Sequence, residues 1–136
     1  MGYLFLEQRF RDTPHIKFHI ATNFYQVAEV EGFKFLLVHG DDIRSWMNLP
    51  WYGITQRLMR WYQSICHFDY LCLGHFHSYA NFEWNNTEVI MNGTFVTDDA
   101  YALKKIGMGG SPRQVLFSVH PKWGVVFMRK IFLEGG

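Results

Sequence analysis

The run FKFLLV, residues 33–38, constrains the fold more than any other stretch, because nearly every position in it is apolar. A strand with one face in water alternates apolar and polar residues, whereas a continuous run is typical of an interior strand covered on both faces. The run from Phe24 to Val30 also favours a strand, and Glu31-Gly32 between the two is a two-residue hairpin signal. The chain is therefore expected to build a layered sheet around residues 33–38.

One main helix is predicted downstream of this hairpin. Apolar residues at Ile54, Leu58, Trp61 and Ile65 repeat at helical spacing, which predicts a helix from Trp51 to Cys66. A shorter amphipathic helix is expected within residues 1–11, and it begins abruptly, without a capping residue.

The other patterns predict strands. In chain order they are His15 to Ala21, Phe24 to Val30, Phe33 to His39, Tyr70 to Leu73, Tyr79 to Trp84, Thr87 to Met91, Gln114 to His120 and Val125 to Phe132. The segment KKIGMGGSPR, residues 104–113, is expected to be a mobile loop. Since no repeat or linker interrupts the pattern, residues 1–136 are expected to form a single α+β domain, mostly strands with one main helix.

Composition and charge exclude several classes of protein. The 136 residues are 49% hydrophobic and 18% aromatic, which excludes a disordered or fibrous chain. The formal net charge of +1 provides no broad basic field for nucleic acid, so such contacts would depend on local geometry. No apolar run approaches the roughly 18 residues of a membrane span, and Cys66 and Cys72 follow no disulfide pattern. A reduced, soluble, cytoplasmic protein is therefore expected.

Histidines concentrate at the ends of two predicted strands. The segment LLVHGDD places His39 where an apolar strand meets glycine and acids, and LCLGHFHS does the same with His75 and His77. In an extended segment, residues two apart point to the same side, so His75 and His77 are expected to project together, with Phe76 on the opposite face. Imidazole is a common neutral metal ligand. We expect the three rings to face one pocket at adjacent strand ends.

Structural roles for the same residues remain open at this point. A single histidine at a strand end is more often a hydrogen-bonded structural residue than a ligand, and Asp41 and Asp42 suit turns or helix caps as well as metal contacts. The tryptophans at 46, 51 and 61 suit a core or a subunit interface better than base stacking. The alternative function is a non-catalytic, β-rich binding or assembly module with structural histidines.

The order of these motifs resembles one family. A strand that ends in V-H-G-D, followed by a strand that ends in L-G-H-F-H, resembles the last two motifs of the calcineurin-like metallophosphoesterases. The downstream M-N-G-T resembles the strand end that follows in that family, and SPRQVLFSVHPKWGVV resembles its closing hairpin. The resemblance covers approximately Val27 to Leu133.

The resemblance implies a four-layer αββα sandwich with two divalent metal ions, Mn, Fe or Zn, that activate water to hydrolyse a phosphate mono- or diester. By motif position, His39 and His75 would ligate one ion and His77 the other. Arg44 is a neighbouring cation that we expect to hold a phosphate, on position alone and outside any motif. The substrate can be a simple ester, a nucleotide or nucleic acid.

The chain departs from the family at its first three motifs. D-x-H, G-D-x-x-D and G-N-H are absent from the sequence, and with them the bridging aspartate and the catalytic histidine. The resemblance therefore implies a truncated domain, the C-terminal half of the sandwich, with no catalytic residue of its own and at most one weakly bound ion. An N-terminal partner chain or a homo-oligomer is expected to complete or cover it.

Overall fold

The computed structural model describes residues 2–47, 49–95 and 111–133, and two helices and seven strands lie within them. In chain order these are α1 (Gly2–Arg9), β1 (Tyr25–Val30), β2 (Phe33–Val38), α2 (Trp51–Ser64), β3 (Tyr70–Leu73), β4 (Ala80–Trp84), β5 (Thr87–Met91), β6 (Arg113–His120) and β7 (Gly124–Phe132). None of the helices in these ranges is long and apolar enough to cross a membrane.

The main sheet has five strands in the order β1-β2-β3-β5-β4, so β2 is an interior strand, as its apolar run predicts. Glu31 and Gly32 join β1 to β2 with φ of 53° and 82°, the positive φ at both positions that a type I′ hairpin turn requires. Strands β2, β3 and β5 run parallel, with Val38 beside Leu73 and Leu73 beside Met91. Their carboxyl ends therefore share one edge of the sheet.

Helix α2 covers one face of this sheet. Its buried residues Ile54, Leu58 and Trp61 follow the predicted helical spacing and share a core cluster with Leu36 and Leu71 of the sheet. All but Trp61 among these five side chains are fully buried. Burying this stripe is the main stabilisation of the helix, since its N-cap, a proline, forms no side-chain hydrogen bond.

The β6–β7 hairpin covers the opposite face. Phe35 stacks on Tyr70 with ring centroids 4.5 Å apart, and on Phe117 of β6 at 5.7 Å. The Tyr70 hydroxyl accepts a hydrogen bond from the backbone N–H of Val125 at 2.8 Å. Helix, five-stranded sheet and hairpin thus form three successive layers. The α+β class and the predominance of strands are confirmed.

One predicted strand is absent from the described residues, and one predicted loop lies mostly outside them. The predicted strand from His15 to Ala21 is wrong: the segment follows a turn and pairs with no strand in the described part of the chain. Ile16 and Ile20 are each 37% exposed, so alternation there has no sheet to pack against. Most of the predicted loop at 104–113 lies outside the described residues, and Arg113 at its end begins β6.

Candidate metal-binding site

The site lies where β2 and β3 end side by side. His39 directly follows β2, and the Gly74–His77 segment follows β3, its parallel neighbour. The backbone N–H of Gly74 donates to the carbonyl oxygen of His39 at 3.1 Å, which extends the pairing of the two strands by one step. The carboxyl-end geometry of parallel strands therefore brings the two histidine motifs together, as in other open sheets.

Gly40 allows the two loops to lie against each other. Its φ is +105°, and an added Cβ would lie 3.4 Å from Leu73 Cδ1 and 3.6 Å from both Gly74 O and His75 Cβ. The backbone N–H of Ile43 donates to the Gly40 carbonyl at 3.2 Å, and Ile43 is buried in the core. The loop after β2 is thus fixed by a turn hydrogen bond and an apolar anchor.

His39 and His75 meet directly. His75 Nδ1 lies 3.3 Å from His39 Nε2, and the ring centroids are 5.1 Å apart at an interplanar angle of 77°. Two neutral imidazoles can share one hydrogen bond at this distance, with one ring nitrogen as donor and the other as acceptor. The predicted convergence holds for this pair.

The expectation that the G-H-F-H segment is extended is wrong. His75 and His77 have φ of 64° and 55°, in the left-handed region, and the Phe76 N–H donates to the Gly74 carbonyl at 2.7 Å. Phe76 is buried in the core cluster that includes residues of α2, and the backbone turns on both sides of it. In the described part of the chain, His77 has no hydrogen bond or ring contact with His39 or His75.

The pKa of His75 is lowered from its ordinary value, first by burial and then by the positive charge that His39 and His77 would carry, while Asp41 acts in the opposite direction. The His75 ring is therefore neutral at pH 7, as ligation of a metal requires. Because the unfolded chain takes up this proton more readily, His75 makes the fold less stable as the pH falls through and below 6.5.

His39 and His75 have the nitrogen spacing of two ligands on one ion. Nitrogens that bind Zn²⁺ at about 2.0–2.1 Å in tetrahedral geometry lie roughly 3.4 Å apart, close to the observed 3.3 Å. Among the described residues, no group of three or more His, Cys, Asp or Glu side chains is arranged to hold a metal ion. Asp42 is engaged by Arg57, whose Nη2 lies 3.2 Å from Asp42 Oδ2. The pair thus offers two ligands, and a two-ion centre needs more.

Arg44 and His39 line different pockets. Arg44 lines a pocket together with Gly53, Gln56, Arg57 and Arg60 of α2, and none of the three site histidines belongs to the described lining. A separate cavity of about 360 Å³ is lined by His39, Asp41 and Asp42, with Arg57 shared between the two. The cation that faces the His39 cavity is therefore Arg57, which sequence reasoning did not single out.

Asn92 occupies the third strand end, directly after β5. Its backbone N–H donates to the Leu73 carbonyl at 2.8 Å. Its side-chain Oδ1 accepts from the N–H groups of Gly93 and Val115 at 3.0 and 3.1 Å, and its Nδ2 donates to Gln114 Oε1 at 2.5 Å. Asn92 therefore ties the carboxyl edge of the main sheet to β6. The signal in the sequence is an asparagine immediately after an apolar strand.

Replacing Asn92 with alanine is expected to lower the free energy of unfolding by about 1–2 kcal/mol, because partly buried N–H groups lose their acceptor. Urea unfolding of the variant measures this loss. The exposed Asn23 supplies the control, and Asn23→Ala is expected to change stability little. Equal effects of the two substitutions would contradict a linking role for Asn92.

No family model matches the sequence, and no curated protein matches it. Solved structures do match. A single-substitution mutant of Vps29 from Entamoeba histolytica has a TM-score of 0.58 at 16% identity, over 88% of this chain and 66% of that chain. Vps29 from Chaetomium thermophilum has a TM-score of 0.56 at 16% identity, over 79% and 59%. Wild-type Entamoeba histolytica Vps29 complexed with Zn²⁺ has a TM-score of 0.54 at 16% identity, over 85% and 64%.

These similarities establish the fold. The chain has a Vps29-like α+β fold. The three solved structures compared above are all of Vps29. The chain spans just under two thirds of the length of the Entamoeba histolytica Vps29 mutant.

Proposed function

We propose that this chain supplies the histidine side of a divalent-metal centre that hydrolyses phosphate mono- or diesters. The carboxylate ligands of the complete centre come from a second polypeptide segment, which is an N-terminal partner or another copy of the chain. His39 and His75 bind one ion, and His77 serves the second ion once the carboxylates are present. The substrate is a phosphate ester, with nucleotides and nucleic acid within the same chemical class.

The observation that carries this proposal is the 3.3 Å separation of His39 Nε2 and His75 Nδ1 at the ends of two parallel strands. A site of this kind is anchored on one side, because both rings lie within two residues of the ends of paired strands. The Zn²⁺ present in the complex of Entamoeba histolytica Vps29 supports a divalent cation on this fold.

Electrostatics explain why a second segment is needed. Neutral imidazoles leave the full charge of two divalent cations uncompensated, whereas bridging and terminal carboxylates lower the net charge and hold the ions at working distance. In a complete centre the ions would activate the attacking water and neutralise charge on the phosphoryl oxygens. His39 and His75 would orient the nearer ion from the strand ends.

The test is hydrolysis of an aryl phosphodiester with Mn²⁺. We expect the chain alone to show no turnover above buffer that contains the metal. Turnover is expected when a polypeptide that carries the D-x-H, G-D-x-x-D and G-N-H motifs of this fold is added in trans. His75→Ala should remove this turnover, and the matched control His120→Ala should leave it unchanged, since His120 lies at the exposed end of β6.

Two outcomes would contradict the proposal. Robust turnover by the lone chain, lost in His75→Ala, would mean that its own residues complete the ligand set. A mixture in which the two polypeptides associate without any turnover would remove the case for a shared catalytic centre.

A second candidate function is a non-catalytic assembly module. Large apolar side chains before and within the first turn of α2 are exposed, with Trp46 at 80%, Met47 at 83% and Tyr52 at 72%. Exposed aromatic surface of this kind is typical of interaction sites. Light scattering with and without divalent metal separates the two candidates: self-association that does not respond to metal, together with inactive mixtures, would favour the assembly module.

A further inference from the structure

Three arginines line one pocket beside α2. Arg44, Arg57 and Arg60 surround a cavity of about 270 Å³, together with Gly53 and Gln56. The cavity lies on the polar side of the helix, and its described lining contains none of the histidines of the candidate metal site. Nothing in the proposed hydrolysis uses it.

Four of the five lining residues lie on one face of α2. Positions 53, 56, 57 and 60 are spaced i, i+3, i+4 and i+7, so their side chains form a single stripe along α2. The apolar stripe of the same helix, which begins at Ile54, faces the core. The arginine stripe is therefore a fixed feature of a helix whose other side is anchored.

The fifth residue is brought to this stripe by a close backbone approach. A Cβ at Gly53 would collide with the carbonyl oxygen of Arg44, so glycine is required for the loop and helix to meet there. The loop is held just before the approach: Ile43 is buried, and the Asp42 carbonyl accepts a hydrogen bond from Arg57 Nη2 at 2.8 Å. The pocket wall that carries Arg44 is thus preorganised.

The charge around the pocket is not balanced. Arg57 pairs with Asp42, whereas no carboxylate in the described part of the chain forms an ion pair with Arg44 or Arg60. Three guanidinium groups against one carboxylate leave an excess of two positive charges. Like charges three residues apart on a helix, such as Arg57 and Arg60, are unfavourable without a counter-ion. An anion in the pocket would offset this repulsion.

We propose that this pocket binds the diphosphate group of a small phosphate compound, such as inorganic pyrophosphate or a nucleoside diphosphate. The planar guanidinium group presents paired N–H donors that match phosphate oxygens, and several such groups around one cavity suit a multiply charged anion. Gln56 adds an amide donor at the same wall. Binding requires no metal and is independent of the proposed hydrolysis.

Calorimetric titration of the whole chain with pyrophosphate, in the presence of a metal chelator, tests this inference. Saturable binding with one site is expected, and it should weaken as ionic strength rises. Arg44→Gln and Arg60→Gln are each expected to weaken binding about tenfold, as the loss of one charged hydrogen bond implies. Arg57 is left unchanged because it also supports the loop through Asp42.

Arg129→Gln is the matched control, since it removes the same charge from an exposed position on β7. It should leave the affinity for pyrophosphate within about twofold, as expected for a distant surface charge. Absence of saturable binding by the unaltered chain would overturn the proposal. So would equal weakening by Arg129→Gln and Arg60→Gln, because that result would reflect overall charge.

A second titration, with a nucleoside diphosphate, identifies the source of the phosphate group. Affinity equal to that of pyrophosphate would mean that the pocket recognises the phosphates alone, whereas tighter binding would place the nucleoside against the protein as well. Both results support the pocket as a phosphate site. Loss of nucleotide binding in His75→Ala with full binding in Arg44→Gln would instead assign the anion to the histidine edge and contradict the proposal.

Discussion

Zn²⁺ binding by this chain is expected to weaken by about 100-fold or more when His75 is replaced with alanine, since losing a group that merely orients a ligand already costs about 10–100-fold. His75 Nδ1 lies 3.3 Å from His39 Nε2, so each ring would supply one of the two nitrogens on a shared ion. The unaltered chain is expected to bind one ion with micromolar or weaker affinity, about 8 kcal/mol or less. His75→Ala should therefore fall below the range of a direct titration.

Competition against a chromophoric chelator at pH 7.5 provides the measurement. His120→Ala controls for weak surface binding by imidazole, and His77→Ala tests whether the third ring contributes. We expect a smaller loss from His77→Ala than from His75→Ala, because His77 lies in its own left-handed turn without a ring contact to the pair. Unchanged Zn²⁺ affinity in both His39→Ala and His75→Ala would disprove metal binding at the strand ends.

The same binding should weaken as the pH is lowered. Protons compete with the metal for each imidazole, and the lowered pKa of His75 keeps that ring available to lower pH than an exposed histidine. The affinity for Zn²⁺, measured by the same competition titration, is thus expected to fall as the pH is lowered below 6.5.

A second large effect is expected at Gly124, which begins β7. Gly124→Ala should lower the free energy of unfolding by about 2–5 kcal/mol, from roughly 1–2 kcal/mol of left-handed backbone strain and about 1–3 kcal/mol of overpacking. The φ of Gly124 is +74°, and an added Cβ would collide with the Tyr70 hydroxyl and lie 3.1 Å from Tyr70 Cζ. Tyr70 has little room to yield, because its ring is buried and stacked on Phe35.

Gly32→Ala separates the two contributions. Gly32 also has a positive φ, +82°, but no atom lies within 4 Å of an added Cβ. Urea unfolding of both variants should therefore show a larger loss for Gly124→Ala by about 1–3 kcal/mol, the overpacking part alone. Equal losses would mean that Tyr70 gives way at no cost and that backbone strain accounts for the whole effect.

Much of the sheet and α2 could be predicted from the sequence, because the pattern of apolar residues reflects which side chains are buried in each element. The five apolar residues of β2 predict cover on two faces, and Ile54, Leu58 and Trp61 predict one apolar stripe on a helix. The segment from His15 to Ala21 shows the limit of such patterns. Alternation specifies which side chains would share a face, but it does not supply a neighbouring strand, and none pairs there within the described residues.

The candidate site is predictable only in part for a different reason. Parallel strand ends meet at one edge, so proximity of His39 and His75 follows from topology. The left-handed turns at His75 and His77 depend on burial of Phe76, a tertiary contact that residue spacing does not encode. The position of Arg44 likewise depends on how closely Gly53 approaches its carbonyl group, which becomes visible only when the loop is packed on the helix.

The hydrogen bond from the Val125 amide to the Tyr70 hydroxyl joins the hairpin to the main sheet, which Asn92 also links to β6. Exchange of this amide proton for deuterium therefore reports opening between the layers, whereas exchange at Leu36, in the interior of the main sheet, reports disruption of that sheet itself. Faster exchange at Val125 than at Leu36 would mean that the hairpin detaches while the five strands stay paired. Two backbone protons thus measure the order in which the layers separate.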